Sequence, residues 1–223
     1  MNWWLESYYT HFGMPFVVSW VVWVVVSIVL HELAHGWMAI RCGDDTPRYQ
    51  GHMTINPFVH IPGTAWILFV LLGMTYGLMP VNPSNFNGRY DSAKVAFAGP
   101  LVNLLLGALC IIAGGALLAY GTIGNETLTT NLQNFFKIGA AINIMGFLFN
   151  LIPVPPLDGS SILGNFVPAY RRAFEAKYGG LVAMILFGLL FAVGSQYVWG
   201  YSFAASRAGI DRVLALFGGA PTP

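Results

Sequence analysis

The chain has 223 residues, 56% of them hydrophobic and only 9% charged, with a mean hydropathy of +0.64. So little polar surface excludes a soluble globular domain and points to an integral, multi-pass membrane protein. A net charge of +1 supplies no basic patch to neutralise phosphates, which excludes a nucleic-acid partner. Cys42 and Cys110 show neither CxxC nor CxxH spacing and read as apolar packing residues.

The N-terminal stretch to Phe16 lacks a basic region and a small-residue cleavage site, so the first apolar run is expected to be a retained anchor. Trp3, Trp4, Tyr8 and Tyr9 suit an aromatic belt at a membrane face, with His11 solvated beside them. Five apolar stretches follow, at 14–42, 62–80, 93–120, 132–152 and 180–203, and a tail at 205–217 reads as a short interfacial helix. The fold class is therefore all-α: a single membrane-embedded domain over 1–223 with its core at 14–160.

Arg41 and Arg48 follow the first stretch, Arg89 and Lys94 precede the third, and Arg171, Arg172 and Lys177 follow the fourth. The joint at 121–131 carries only Glu126. By the positive-inside rule the three basic groups are cytoplasmic and that joint lies outside. Both flanks of 62–80 then fall on the cytoplasmic side. That stretch, with Gly73, Gly77 and Pro80, is expected to be a re-entrant or irregular excursion between the first two core helices.

The first span contains His31-Glu32-Leu33-Ala34-His35. Residues 16–30 climb about 22 Å, so this pentapeptide falls within the far part of a bilayer core about 30 Å thick. Two histidines at i and i+4 share a helix face and could ligate one Zn²⁺, with Glu32 as general base on a zinc-bound water. A catalytic zinc needs a third protein ligand. The residues three and six beyond His35 are Met38 and Arg41, which excludes a metzincin continuation. Glu126 falls on the opposite side, Glu175 reads as a solvated loop residue, Asp44 and Asp45 as a polar helix end, and Asp91 as a helix cap. Asp158 remains. It ends a proline-fixed run from Asn150 through Pro153, Pro155 and Pro156, with Gly159 expected to permit a turn that a side chain would forbid.

These two motifs together resemble the site-2 protease family of intramembrane zinc metalloproteases. That family pairs HExxH with an Asn-x-x-Pro-x-x-x-x-Asp-Gly run, matched by His31 to His35 and by Asn150, Pro153, Asp158 and Gly159. The Phe97-Ala98-Gly99-Pro100-Leu101-Val102-Asn103 stretch is similar to the opening of the family's third core helix. The segments at 51–57 and 80–83 resemble its compact bacterial members, and no PDZ or cystathionine-β-synthase-like domain is present. The resemblance implies His31, His35 and Asp158 as Zn²⁺ ligands and Glu32 as the catalytic base. It also implies that Asn150 contacts the substrate backbone or oxyanion, and that the substrate is a transmembrane protein in the lipid bilayer of a bacterial or archaeal plasma membrane. A homo-oligomer is left open. Gly146 and the irregular segments at 44–62 and 80–92 are expected to make room for an unwound substrate. Asn103 and Asn143 read as interhelical hydrogen-bond glue, and His52 and His60 as satisfied interfacial histidines. The competing reading is a noncatalytic membrane protein that binds transmembrane segments or metal ions.

Overall fold

The computed structural model describes residues 3–121 and 123–218. Among them the helices are α1 (Trp4–Phe12), α2 (Met14–Arg41), α3 (Thr46–Tyr49), α4 (Pro57–His60), α5 (Gly63–Leu72), α6 (Asp91–Tyr120) and α7 (Glu126–Asn150). They continue with α8 (Asp158–Phe166), α9 (Pro168–Glu175), α10 (Gly179–Leu189) and α11 (Ser195–Leu216), and a single π turn at Leu190–Gly194 joins the last two. Four helical units are long and apolar enough to cross a membrane: α2, α6, α7 and the continuous Gly179–Leu216.

α6 sits at the centre, packed on α2, α7, α8 and α11. Small residues let these backbones approach, as expected where lipid supplies no hydrophobic drive between helices. A Cβ on Gly115 would lie 2.5 Å from the Val213 side chain of α11. Gly139 of α7 likewise lies flat against the indole of Trp23. The main apolar cluster joins Trp20, Trp23 and Val24 of α2 to Phe69, Cys110, Ile138 and Ile142. The tryptophans of α2 divide: Trp20 and Trp23 are buried, whereas Trp37 is exposed.

The stretch at 62–80 does not form a span. α5 has ten residues, about 15 Å, half of a hydrocarbon core. Its terminal carbonyls lack intrahelical partners and lie among apolar side chains, so they need donors from elsewhere. Three indoles supply them. Trp3 and Trp4 Nε1 each donate to Val70 O at 2.8 Å, and Trp20 Nε1 donates to Gly73 O at 2.7 Å. Gly73 ends the helix in the left-handed region, φ 73°. The indoles expected to form a belt thus include two, Trp3 and Trp4, that cap α5. Residues 74–82 then run on without helix.

Three expectations require correction. α7 begins at Glu126 rather than near 132, because Asn125 Oδ1 accepts from Leu128 N and starts the helix early. The stretch expected to be a solvated loop around Glu175 folds into α8 and α9; Glu175 ends α9, within reach of Arg171 at 3.6 Å. The C-terminal span at 180–203 and the interfacial helix at 205–217 are one 38-residue helical unit. Arg207 and Arg212 are exposed, but one face of this segment packs on the bundle. Ser206 is fully buried and donates to Lys137 O of α7 at 2.9 Å, and Ile210 and Leu214 are buried below it.

The C-terminal ends of α2 and α7 and the N-terminal ends of α6 and α8 meet at one end of the bundle. Arg41, Arg89, Lys94, Arg171 and Arg172 lie at that end too.

Candidate metal centre

α2 presents His31 and His35 on one face, with Nε2 atoms 3.0 Å apart. Asp158, the first residue of α8, completes a triangle: Oδ2 lies 3.1 Å from His31 Nε2 and Oδ1 lies 3.4 Å from His35 Nε2. The chain reaches this point through tight turns after Asn150, with Val154 N bonded to Ile152 O at 2.8 Å and Leu157 N to Val154 O at 2.9 Å. The Tyr170 hydroxyl of α9 donates to Pro153 O and pins the proline run. Gly159 permits a turn that a side chain would forbid, as expected. Its backbone has no positive φ, but it lies so close to the Leu151 carbonyl that a Cβ would collide with it.

Both imidazoles are oriented from behind. His31 Nδ1 bonds to Asn103 Oδ1 at 2.5 Å and His35 Nδ1 bonds to Val95 O at 2.7 Å, both contacts from α6. A carbonyl oxygen only accepts, so each Nδ1 carries the proton and each Nε2 turns a lone pair inward. In the neutral imidazoles two lone pairs thus converge on a carboxylate, and Asp158 Oδ2 is buried with no hydrogen-bond partner. Such a set repels itself unless a cation sits within it. Two ligands about 2.0–2.1 Å from a tetrahedral centre lie about 3.3–3.4 Å apart; the sides of the triangle are 3.0, 3.1 and 3.4 Å, within about 0.4 Å of that spacing. Gly99 of α6 forms the floor. A Cβ there would stand 2.5 Å from both Nε2 atoms, in the space a small ion needs. Among the described residues, these three are the only group of three or more potential ligands close enough to share a metal ion.

Glu32 is 7% exposed and lines the same cavity of about 900 Å³, which Asn150 and the Met74–Met79 segment also line. Its carboxylate lies against Gly77, where a side chain would displace it. Asn150 Nδ2 bonds back to Gly146 O at 3.1 Å, leaving its Oδ1 without a partner in that contact. Gly146, expected to make room for substrate, lines this cavity and also makes room for Asn103, whose amide lies 3.2 Å from where a Cβ would be.

The excluded candidates sit elsewhere. Glu126 opens α7, about 36 Å along the helix from Asn150. Asp91 accepts from Gly88 N and Lys94 Nζ, both at 2.7 Å, and so closes the loop before α6. Asp44, expected at a polar helix end, is fully buried. It accepts from Thr46, from Asn82 N at 2.7 Å and from Asn85 Nδ2 at 2.8 Å, which staples the segment before α6 to the end of α2. His60 is fully buried and bonds Thr54 O through Nε2; burial and the neighbouring His60 ring hold His52 below the ordinary imidazole value. Sequence reasoning missed three contributors: Gly99 as the floor, Asn103 as the partner of His31, and the Val95 carbonyl. Gly99 and Asn103 stood inside a quoted motif, but a main-chain carbonyl leaves no signal.

A sequence model of peptidase family M50 matches residues 19–123 and 113–193. The chain is 36% identical over 215 residues to "Putative zinc metalloprotease YwhC" of Bacillus subtilis, covering 94% of each chain. It is 27% identical over 212 residues to Rip2 of Mycobacterium tuberculosis, which carries the same designation, covering 91% of this chain and 78% of the relative. It is 24% identical over 200 residues to "Zinc metalloprotease MJ0392" of Methanocaldococcus jannaschii, covering 80% of this chain and 47% of the relative. No solved structure matches the chain.

Proposed function

Because the chain belongs to peptidase family M50, the site-2 proteases, we propose that it is a zinc endopeptidase that cuts transmembrane proteins within or beside their membrane-spanning segments. The observation that carries this reading is the triangle of inward lone pairs on Gly99, with Glu32 beside it in a cavity inside the helix bundle. His31, His35 and Asp158 would hold Zn²⁺, which when bound supplies Lewis-acid polarisation of a carbonyl and of water. Glu32 takes the proton of the attacking water as its oxygen adds to the scissile carbonyl carbon. It returns that proton to the amine nitrogen as the C–N bond breaks. The Asn150 amide is placed to bond the substrate backbone or the developing oxyanion. Residues 74–79 border the cavity, and the backbone hydrogen bond that ties them to the rest of the fold is Leu78 N to His60 O, so an extended peptide has backbone groups to pair with. A transmembrane substrate must unwind locally to use them.

The basic end of the bundle, where this site lies, supports a cytoplasmic orientation, and relatives from bacteria and an archaeon support a prokaryotic plasma membrane. The test is cleavage of a panel of single-span peptides by the purified protein in proteoliposomes, with mass spectrometry of the products. Zinc-dependent cuts inside the spans, lost by at least about 100-fold in Glu32→Gln, support the proposal. Zinc-loaded protein that binds the spans but cuts none would leave the noncatalytic reading.

A further inference from the structure

The two histidine ligands are oriented differently, and the difference leads away from the metal centre. His35 is fixed by a main-chain carbonyl, but His31 is fixed by a side-chain amide, which has two ends and could present either. A reversed Asn103 would offer Nδ2–H to His31, favouring the tautomer that puts the proton on Nε2 and removes the lone pair from the centre. What prevents reversal is a chain of contacts across three helices. Asn103 Nδ2 donates to Asn143 Oδ1 at 3.0 Å, and Asn143 Nδ2 donates to Gly139 O of its own helix at 2.9 Å. Gly139 O is a carbonyl and only accepts, so Asn143 must turn its NH₂ there and its oxygen toward Asn103. Asn103 must then turn its NH₂ toward Asn143 and its oxygen toward His31.

We infer that Asn143 and Asn103 form a one-way hydrogen-bond relay that fixes the metal-binding tautomer of His31, making both of them positioning residues of the centre. This goes further than interhelical glue, and it rests on the zinc reading above. Burial supports it: Asn103 is 3% exposed and Asn143 fully buried, so no solvent competes for either amide. Gly146 adds to it, since its missing side chain leaves the Asn103 amide the space in which it sits. Partners behind a histidine ligand are generally worth 10–100-fold in metal affinity.

The test is zinc affinity by chelator competition on the purified full chain, together with the visible spectrum of the Co²⁺-substituted protein and the thermal midpoint. Asn103→Leu removes the acceptor and is expected to weaken zinc about 10–100-fold and to disturb the tetrahedral cobalt bands. Asn103→Asp keeps an acceptor facing His31 Nδ1 and is expected to hold zinc within a few-fold of the unaltered chain, even though a buried carboxylate lowers the thermal midpoint. Asn143→Leu frees Asn103 to reverse and is expected to weaken zinc by an intermediate factor. A purely structural role would make affinity follow the thermal midpoint, with Asn103→Asp no better than Asn103→Leu; that outcome overturns the relay. Equal zinc affinity in all variants overturns it as well. Absence of zinc from the unaltered chain would instead refute the zinc reading itself.

Discussion

Gly99→Ala is the smallest change that should empty the metal centre while leaving the fold intact. The added Cβ would stand 2.5 Å from Nε2 of both His31 and His35, against an ordinary contact of at least 3.4 Å. The rings would have to retreat by about 0.9 Å, whereas metal–ligand distances tolerate about 0.2 Å. They have nowhere to go, because Asn103 and Val95 O hold their Nδ1 atoms at 2.5 and 2.7 Å. Zinc affinity should therefore fall by about 100-fold or more, beyond the usual effect of losing a partner behind one ligand. Overpacking against the two rings costs about 1–3 kcal/mol, partly offset by the helix preference for alanine over glycine of about 0.8–1 kcal/mol, so the thermal midpoint falls modestly while the fold is kept. The assay is zinc per chain by mass spectrometry, paired with the thermal midpoint in detergent. Gly188→Ala serves as the control, since nothing lies within 4 Å of its added carbon. A Gly99→Ala protein that folds and carries zinc as tightly as the unaltered chain would refute the placement of the ion on this floor.

Glu32→Gln should keep its zinc, because the carboxylate lies outside the ligand triangle, while hydrolysis falls; zinc loss in this variant would make Glu32 a ligand. Asp44→Ala should destabilise the protein by about 3 kcal/mol, since it strands buried donors from Thr46, Asn82 and Asn85, and chemical denaturation measures it. Burial pushes the Asp44 carboxyl up, but hydrogen bonds from Thr46, Asn82 and Asn85 outweigh it and hold the group below its ordinary value. A folded value below the unfolded one of about 3.9 gives stability that is full above that pH and is lost as pH falls through the folded value. The unaltered chain should then lose thermal stability more steeply below about pH 4 than Asp44→Ala does, and parallel acid limbs would contradict this. Trp20→Phe should lower stability by about 1–3 kcal/mol through the orphaned Gly73 carbonyl, read from the thermal midpoint; no change would mean that the cap on α5 is dispensable.

The metal ligands were legible because their signals are local or set by charge. An i, i+4 pair of histidines must share a helix face, and the placement of basic residues sorts Glu126 to the far end. Proline spacing then singled out Asp158, and the turn expected at Gly159 brings its backbone so close to Leu151 that a side chain would not fit. What surrounds the ligands was not legible, because it depends on how helices distant in sequence register against each other. Val95 acts through its carbonyl, which any residue has, and Asn103 looked like glue until its oxygen met His31. The C-terminal helix misled for a related reason: Arg207, Asp211 and Arg212 among apolar residues read as a membrane surface, yet the same segment buries Ser206, Ile210 and Leu214 against the bundle. The short α5 was readable as incomplete from its length, but not the three indoles that let it stop among apolar side chains.

The central claim is that His31, His35 and Asp158 together hold zinc. Zinc per chain in the purified protein and in Asp158→Ala tests it most directly. The account predicts one zinc per chain in the former and a large loss in the latter, with the helical fold retained. Full zinc occupancy in Asp158→Ala, or none in the unaltered chain under chelator-free conditions, would contradict it.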